Sequence, residues 1–426
     1  MTTDTQPGYR IAVIGGGVAG LTTAYLLDRK HRVTLFERNN YAGGHTRTIT
    51  VPEGPDAGTP VDTGFIVMND KNYPLFTRLL DRLGVERRDS DMSFSYACER
   101  SGYAYAGSNF KTLFARKSNF LRGGHWSMIR DIMRFNKRAK EDLMDGAIAD
   151  CTLGDYVGQH KFGKPFQQNY LLAMGSAIWS APLRKVEEFP AEPFINFFYN
   201  HGLLNIKDRP QWKYVAGGSQ TYVRQILAQL EGRVHLEAPA TNVRRTEHGV
   251  AIRLPDGKEE EFDKVVMACH ADETFQLLEQ PTPLERELLG AWSYQKNHAV
   301  LHSDPIAMPP PRGAWASWNF MRESAYKDSD PVSVTYDMTR LQRLDSHQNY
   351  FVSLNRLGAI EEQKIIDRTS FMHPAYTFES MNTQSRLPEL NSNGTMYFCG
   401  SYFGYGFHED AVRSAVQVAK TFGIEL

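Results

Sequence analysis

At 426 residues the chain is longer than one hydrophobic core usually supports, and two domains are the expectation. A hydrophobic content of 41% beside 23% charged residues fits a soluble globular protein, and no apolar run is long enough to cross a bilayer. The formal net charge of -1 excludes the global positive field of a nucleic-acid binder, and no DNA- or RNA-binding motif occurs. Cys98, Cys151, Cys269 and Cys399 lie far apart without C-x-x-C spacing, so neither a disulfide framework nor a metal site is expected. The opening "MTTDTQPGYR" lacks the apolar segment of a signal peptide, which makes a cytoplasmic location the expectation.

In chain order, the β-branched run Ile11 to Ile14 predicts a buried strand. It ends in Gly15-x-Gly17-x-x-Gly20, where Val18 and Ala19 are expected with the glycines among the contacts to a nucleotide, and Leu21, Ala24, Tyr25 and Leu27 follow at helical spacing. "RVTLFE" then predicts a second strand, closed by Glu37. The three glycines suit a tight turn, close approach of backbone to a pyrophosphate, and tight helix-to-strand packing. The helix start offers free N–H groups and a positive dipole end to phosphates. Glu37 can accept from both ribose hydroxyls and would repel a 2′-phosphate, which argues against NADP.

Past Glu37 and Arg38 come a glycine pair, Gly43-Gly44, then His45, Thr46 and Arg47, and a strand-like "VDTGFIVMND" over 61–70. These features resemble the start of the FAD-dependent amine oxidase and phytoene desaturase superfamily. The resemblance implies an α/β fold: a GxGxxG Rossmann-type FAD-binding domain with a discontinuous α+β substrate domain, as in monoamine oxidases. It implies FAD contacts at Arg38, Gly44, His45, Thr46, Val67 and Met68, with His45 standing where the superfamily usually has Arg. Residues 233–270 read as a β-meander on the adenine side, with Val243 matching the residue whose backbone meets adenine. Cys269 is expected in the core. "TMYFCGSYFGYGFHEDAVRSA" matches the C-terminal segment that closes over the isoalloxazine, which implies contacts from Gly400, Asp410, Ala411 and Val412. Asp410 reads equally as an N-cap.

The resemblance divides the chain into FAD-binding segments 1–80, 206–290 and 386–426, with substrate-domain parts 81–205 and 291–385. Within the first part, residues 101–140 carry nine Lys or Arg and one acid, Asp131. There "WSMIRDIMRFNKRAKEDL" sets Met128, Ile129, Ile132, Met133 and Phe135 on one helical stripe. Two readings stay open for it: an anionic membrane surface, or a helix packed by its apolar face. Three apolar segments, 169–182, 193–204 and 313–321, can line a long greasy cavity or form ordinary core.

A narrower resemblance runs through "GGHTRT", "SDMSFSY", "GSAIWSAP", "RPQWKYVAGGS", "AWASWNF" and "GYGFHEDAV" in this order. These look like the flavoprotein that accompanies cyclopropane fatty acid synthases, known as a separate bacterial chain and as the N-terminal half of plant synthases. Relatives include desaturases of methyl-branched fatty acyl chains on the route to furan fatty acids. The resemblance implies an acyl-chain lipid substrate and a cyclopropane synthase-like methyltransferase as partner; the basic stretch 101–140 would let the protein meet that lipid at the inner face of the membrane. Mitochondrial amine oxidases attach the flavin to a cysteine of the C-terminal loop; residues 401–411 contain none, so non-covalent FAD is the expectation. No S-adenosylmethionine motif is found in this chain. His408 or Glu409 is the expected base. An amine oxidase is the rival, with Lys296 near the flavin and Tyr376 and Tyr405 as its aromatic pair. A non-catalytic flavoprotein supporting a methyltransferase is a third reading.

Overall fold

The computed structural model describes residues 8–206, 208–230 and 232–426. The expectation drawn from the very start of the chain falls largely on residues 1–7, outside the described residues. The first strand, Arg10–Ile14, lies at the centre of a five-stranded parallel sheet. Across the sheet the order is Met396–Phe398, Lys264–Met267, Arg10–Ile14, Arg32–Phe36 and Val234–His235. These strands are short unbroken apolar runs because the sheet is buried on both faces. Helix Val18–Leu27 is apolar nearly all round for the same reason: it packs against the sheet, against Gln220–Gln229 and against the C-terminal helix His408–Thr421.

Most of the expected meander forms, as antiparallel strands Asn242–Arg245, Val250–Arg253 and Glu259–Phe262. One detail differs. Val234–His235, at the head of the same stretch, joins the edge of the parallel sheet, where it pairs with Leu35 and Phe36. Parallel pairing of so short a strand depends on a neighbour 200 residues away, which local pattern does not encode.

A second, seven-stranded mixed sheet runs in the order Ile365–Ala375, Ser293–His302, Phe351–Leu354, Val334–Asp337, Trp318–Arg322, Phe94–Cys98 and Tyr103–Ala106. The only parallel pair recorded within it joins Trp318–Arg322 to Phe94–Cys98, which ties two distant stretches of chain together. Helices Gly123–Met144, Leu172–Trp179 and Ala191–Asn200 accompany this half. On the long basic helix Gly123–Met144, Met128 and Phe135 are fully buried and Ile132 packs against the core, so its apolar stripe faces inward. Met133 alone of the five stripe residues stands well exposed.

Candidate functional site

One cavity of about 910 Å³ runs from the Gly15–Val18 turn to the second sheet, at the upper end of the size range of small-molecule sites. Its wall is assembled from every segment that the sequence motifs mark. At the nucleotide end the strand stops at Gly15, whose φ of +105° a side chain would strain. A Cβ on Gly20 would sit 1.9 Å from the Gly15 carbonyl oxygen, so only glycine lets the helix start this close to the strand. Gly17 has open space before it, and no side chain caps the helix it begins. Gly17, Val18 and Ala19 line the cavity, so uncapped N–H groups face it.

Glu37 is buried on the cavity wall. Its Oε2 accepts from the Gly16 N–H at 2.7 Å and its Oε1 from the Asn39 N–H at 2.8 Å. The carboxylate thus braces the turn while keeping lone pairs for a diol. Arg38 also lines the wall, paired with Glu273 at 2.7 Å. The Gly43-Gly44 doublet packs on the first turn: Gly43 N–H donates to the Gly16 carbonyl at 2.8 Å. Beyond it His45 faces the cavity, stacked on Phe371, and burial with the nearby His270 lowers its imidazole to about 3. Arg47 turns away into a bidentate pair with Asp367. His45 is therefore the basic side chain of this doublet that reaches the cavity.

The C-terminal triplet divides its labour. His408 lines the cavity, stacked on Phe65 with centroids 3.6 Å apart. Its Nε2 lies 2.9 Å from the Thr46 hydroxyl and 3.4 Å from that of Tyr222. Burial, then His45, pulls its imidazole to about 3, so the ring is neutral and held in place rather than poised to titrate. Glu409 is not on the wall. Its carboxylate accepts from the Leu75 and Phe76 N–H groups at 3.1 and 2.9 Å, at the start of helix Pro74–Arg82. Glu409→Ala is therefore expected to cost about 2–4 kcal/mol of stability in urea unfolding, by stranding two buried donors, while flavin content stays at the wild-type level. Loss of flavin from a variant of unchanged stability would refute that assignment. Asp410 accepts from the Tyr405 and Phe407 N–H groups at 3.0 and 3.1 Å and pairs with Arg413, so it closes the Gly404–Phe407 loop.

Several expected contacts lie elsewhere. Lys296 stands on strand Ser293–His302 with its side chain exposed, outside the cavity lining; the strand meets the cavity near its start, at Tyr294, and has run past it by Lys296. Tyr376 is buried behind the wall with its hydroxyl 3.4 Å from the Gly404 carbonyl, and Tyr405 meets Asn196; neither is a lining residue. Val243 is core, its carbonyl taken by Glu279 N–H at 3.1 Å, whereas Pro239 and Ala240, at the head of the same meander, reach the cavity. A three-residue slip carried the expectation past the turn and into the strand. Of the remaining contacts, Gly44, Val67, Gly400 and Ala411 line the wall. Gly20, Thr46, Met68 and Val412 sit directly behind it, Met68 exchanging backbone hydrogen bonds with Lys213. Cys269, expected in the core, is on the wall; burial pushes its thiol up and its Sγ faces the Ile14 carbonyl at 3.3 Å.

The other end of the cavity is lined by Phe94, Tyr170, Met174, Ile178, Phe197 and Leu203. Acidic lining residues stand at the nucleotide turn, Glu37 and Glu273, or at the surface, Asp91. His201 and Trp212, also on the wall, are not among the expected site residues, although His201 lies in the apolar segment 193–204 and Trp212 in the motif "RPQWKYVAGGS". The residues fit FAD: an open glycine cradle, an uncapped helix start and a buried carboxylate beside it. Two buried donors on the wall, Tyr402 Oη and Trp318 Nε1, also have no hydrogen-bond partner among the described residues.

A family model described as "Flavin containing amine oxidoreductase" matches residues 18–303. An L-amino-acid oxidase of Siganus canaliculatus is 23% identical over 266 residues, 58% of this chain and 46% of that protein. The chain thus spans about half the length of that curated relative. Among solved structures, putrescine oxidase with bound putrescine superimposes with a TM-score of 0.68 at 16% identity, covering 97% of this chain and 99% of the other. A fatty acid isomerase from P. acnes, described as producing CLA, gives 0.67 at 14% identity, covering 97% and 98%. The shared fold is the α/β amine-oxidase architecture.

Proposed function

This chain belongs to the family of flavin-containing amine oxidoreductases, and from that premise we propose that it is an FAD-dependent dehydrogenase of fatty acyl chains. Its proposed substrates are methyl-branched unsaturated chains of membrane phospholipids. The observation that carries the reading is the cavity beyond the nucleotide turn, whose wall of Phe94, Tyr170, Met174, Ile178, Phe197 and Leu203 suits an alkyl chain. Lys296, the residue that the amine-oxidase reading relied on, lies outside this wall. The fatty acid isomerase of the same architecture supports an acyl chain as a ligand of this fold. The motif resemblance to the flavoprotein of cyclopropane fatty acid synthases supports the methyl-branched chain, a methyltransferase partner, and the division into three cofactor segments and two substrate segments.

In the reaction two C–H bonds break and a carbon–carbon double bond forms; one hydrogen leaves with its electron pair and the other as a proton. FAD, held non-covalently, supplies the hydride acceptor when bound. The allylic position beside an existing double bond is the reasonable donor, because an isolated methylene resists hydride loss. The apolar wall orients the chain and excludes water. Because the His408 Nε2 is already engaged, His201 replaces it as the proposed proton acceptor. Its Nδ1 lies 2.9 Å from the Phe197 carbonyl, so that nitrogen carries the hydrogen and Nε2 keeps a free lone pair. Burial lowers this imidazole to about 4, so it is neutral at pH 7 and a weaker base than a free imidazole. His201→Gln is expected to lower kcat on the order of 10²-fold with KM nearly unchanged. An unaltered kcat would remove His201 from the mechanism.

The deciding experiment mixes the flavin-loaded protein anaerobically with phospholipids bearing methyl-branched unsaturated chains and follows the visible flavin band. Bleaching by these lipids, and not by polyamines or aromatic amines, is the expected result. Bleaching by an amine alone would overturn the proposal in favour of amine oxidation. No bleaching by either, together with a stable complex with a fatty acid methyltransferase, would leave a non-catalytic flavoprotein partner.

A further inference from the structure

Residues 100–130 contain no acid, and the segment that precedes the long basic helix behaves unlike the helix itself. Phe110, Phe120, Leu121 and Trp126 are 64%, 46%, 92% and 45% exposed. Phe110, Phe120 and Trp126, the last on the first turn of the helix, form one cluster around the buried Phe114, whose ring centroid lies 4.8 Å from that of Phe110, 4.0 Å from Phe120 and 5.1 Å from Trp126. The cluster is fixed in place. Asn109 and Thr112 form a reciprocal cap on the turn Phe110–Leu113, and Asn119 Nδ2 donates to the Ala104 carbonyl at 3.0 Å. Trp126 Nε1 donates to the Phe120 carbonyl, also at 3.0 Å. Lys111, Arg116, Lys117, Arg122 and Arg130 are interspersed through the same stretch. Arg130 pairs with Asp131 at 3.8 Å, whereas Lys111, Arg116, Lys117 and Arg122 have no carboxylate partner among the described residues. Rigid exposed aromatics among such cations are costly in water and suit the interface of an anionic bilayer, where the rings enter the headgroup region and the cations meet phosphates.

The patch also stands next to the cavity. Gly107 and Ser108, immediately before Asn109, are exposed and at the same time line it, so the cavity reaches the surface beside Phe110. Asp91 and Arg209 are exposed lining residues as well, and Ile206, near Arg209 in the chain, is 64% exposed. We infer that residues 110–126 dock the protein on an anionic phospholipid surface with the cavity mouth against the lipid, so that an acyl chain can enter without crossing water. The inference rests on the acyl-chain reading for what enters the cavity. The docking itself is measured without turnover.

The test is flotation of the flavin-loaded protein with vesicles of phosphatidylglycerol and phosphatidylcholine, and with phosphatidylcholine alone, at physiological ionic strength. Wild type is expected to float with the anionic vesicles and to detach as salt rises. A Phe110→Ser/Leu121→Ser variant and a Lys111→Glu/Lys117→Glu variant, all at exposed positions, should each bind at least tenfold more weakly with unaltered melting temperature. Absence of wild-type flotation, or flotation indifferent to both variants, would overturn the inference. So would a concentration-dependent dimer abolished by the same substitutions, which would make the patch a contact between two copies. Flotation as expected, with no lipid bleaching the flavin, would leave the docking surface standing and remove only the acyl-chain substrate.

Discussion

Glu37→Ala is expected to yield protein that folds but purifies nearly colourless. The wild-type carboxylate, buried on the cavity wall, already holds Gly16 and Asn39 N–H groups and has lone pairs left for two ribose hydroxyls. Alanine removes those charge-assisted acceptors and loosens the turn that presents the helix start to the pyrophosphate. Hydrogen bonds to a charged group contribute about 1.5–3 kcal/mol each, so a loss of about 3 kcal/mol, on the order of 10²-fold in flavin affinity, is the expectation. Asn39→Ala, which removes only a side-chain bond to Glu37 at 2.8 Å and so acts on the flavin at one remove, should lower affinity by less than about tenfold. Flavin absorbance per protein after gel filtration measures both, with far-UV circular dichroism as the check on folding. Full flavin content in Glu37→Ala would show that the cofactor does not lie along this turn. Acid precipitation of the wild type should release its flavin, as non-covalent binding requires.

The second large effect belongs to Asp62, a fully buried carboxylate that joins three parts of the chain. It accepts from the Thr48 hydroxyl at 2.5 Å, the Ser219 N–H and hydroxyl at 2.9 and 2.8 Å, and Gln342 Nε2 at 3.1 Å. Burial raises this carboxyl to about 6, against the pull of the Thr48 and Ser219 hydrogen bonds, which favour the ionised form. An ordinary aspartate titrates near pH 3.9. Between those two pH values the folded protein keeps a proton that the unfolded chain releases. The stabilisation from Asp62 is therefore complete at low pH and is lost as pH rises through about 6. At about 1.4 kcal/mol per pH unit this amounts to roughly 3 kcal/mol.

The penalty of Asp62→Asn, which cannot titrate, should thus be largest near pH 4 and shrink by on the order of 3 kcal/mol by pH 7.5. Asp62→Ala, which cannot titrate either, should show the same fall with pH on top of a penalty of about 3 kcal/mol that remains at pH 7.5, since it strands buried donors. Urea titrations of wild type and both variants at the two pH values measure this. A penalty for Asp62→Asn that grew with pH would mean that the hydrogen bonds outweigh burial and the carboxylate is ionised throughout.

The nucleotide end was legible in the sequence because its requirements are local. Gly15, Gly17 and Gly20 answer to a positive φ, an open approach and a 1.9 Å clash that any Cβ would make, all within one turn. Glu37 follows from the length of one helix and one strand. The greasy cavity was also foreseen in part: Tyr170, Met174, Ile178, Phe197, Leu203 and Trp318 all come from the three apolar segments singled out for it. What was misread shares one cause. Lys296 was chosen by its place along the chain, yet the strand that carries it meets the cavity two residues earlier, at Tyr294. Val243 lies three residues beyond the part of the meander that reaches the cavity, because the turn at Pro239 and Ala240 lines it and the strand begins only afterwards.

The C-terminal "HED" shows the same limit within three consecutive residues. Successive helical side chains point about 100° apart, so His408, Glu409 and Asp410 serve the cavity, the helix at Pro74 and the loop at Gly404 respectively. By itself the sequence determined the α/β class, the flavin-type glycine turn and its carboxylate, because periodicity, glycine geometry and charge act over a few residues. Only the tertiary structure decided which imidazole is already engaged, which lysine faces water, and that the exposed aromatics gather ahead of the basic helix and on its first turn. Those outcomes depend on neighbours a hundred or more residues distant, whose burial and hydrogen bonds no local pattern records.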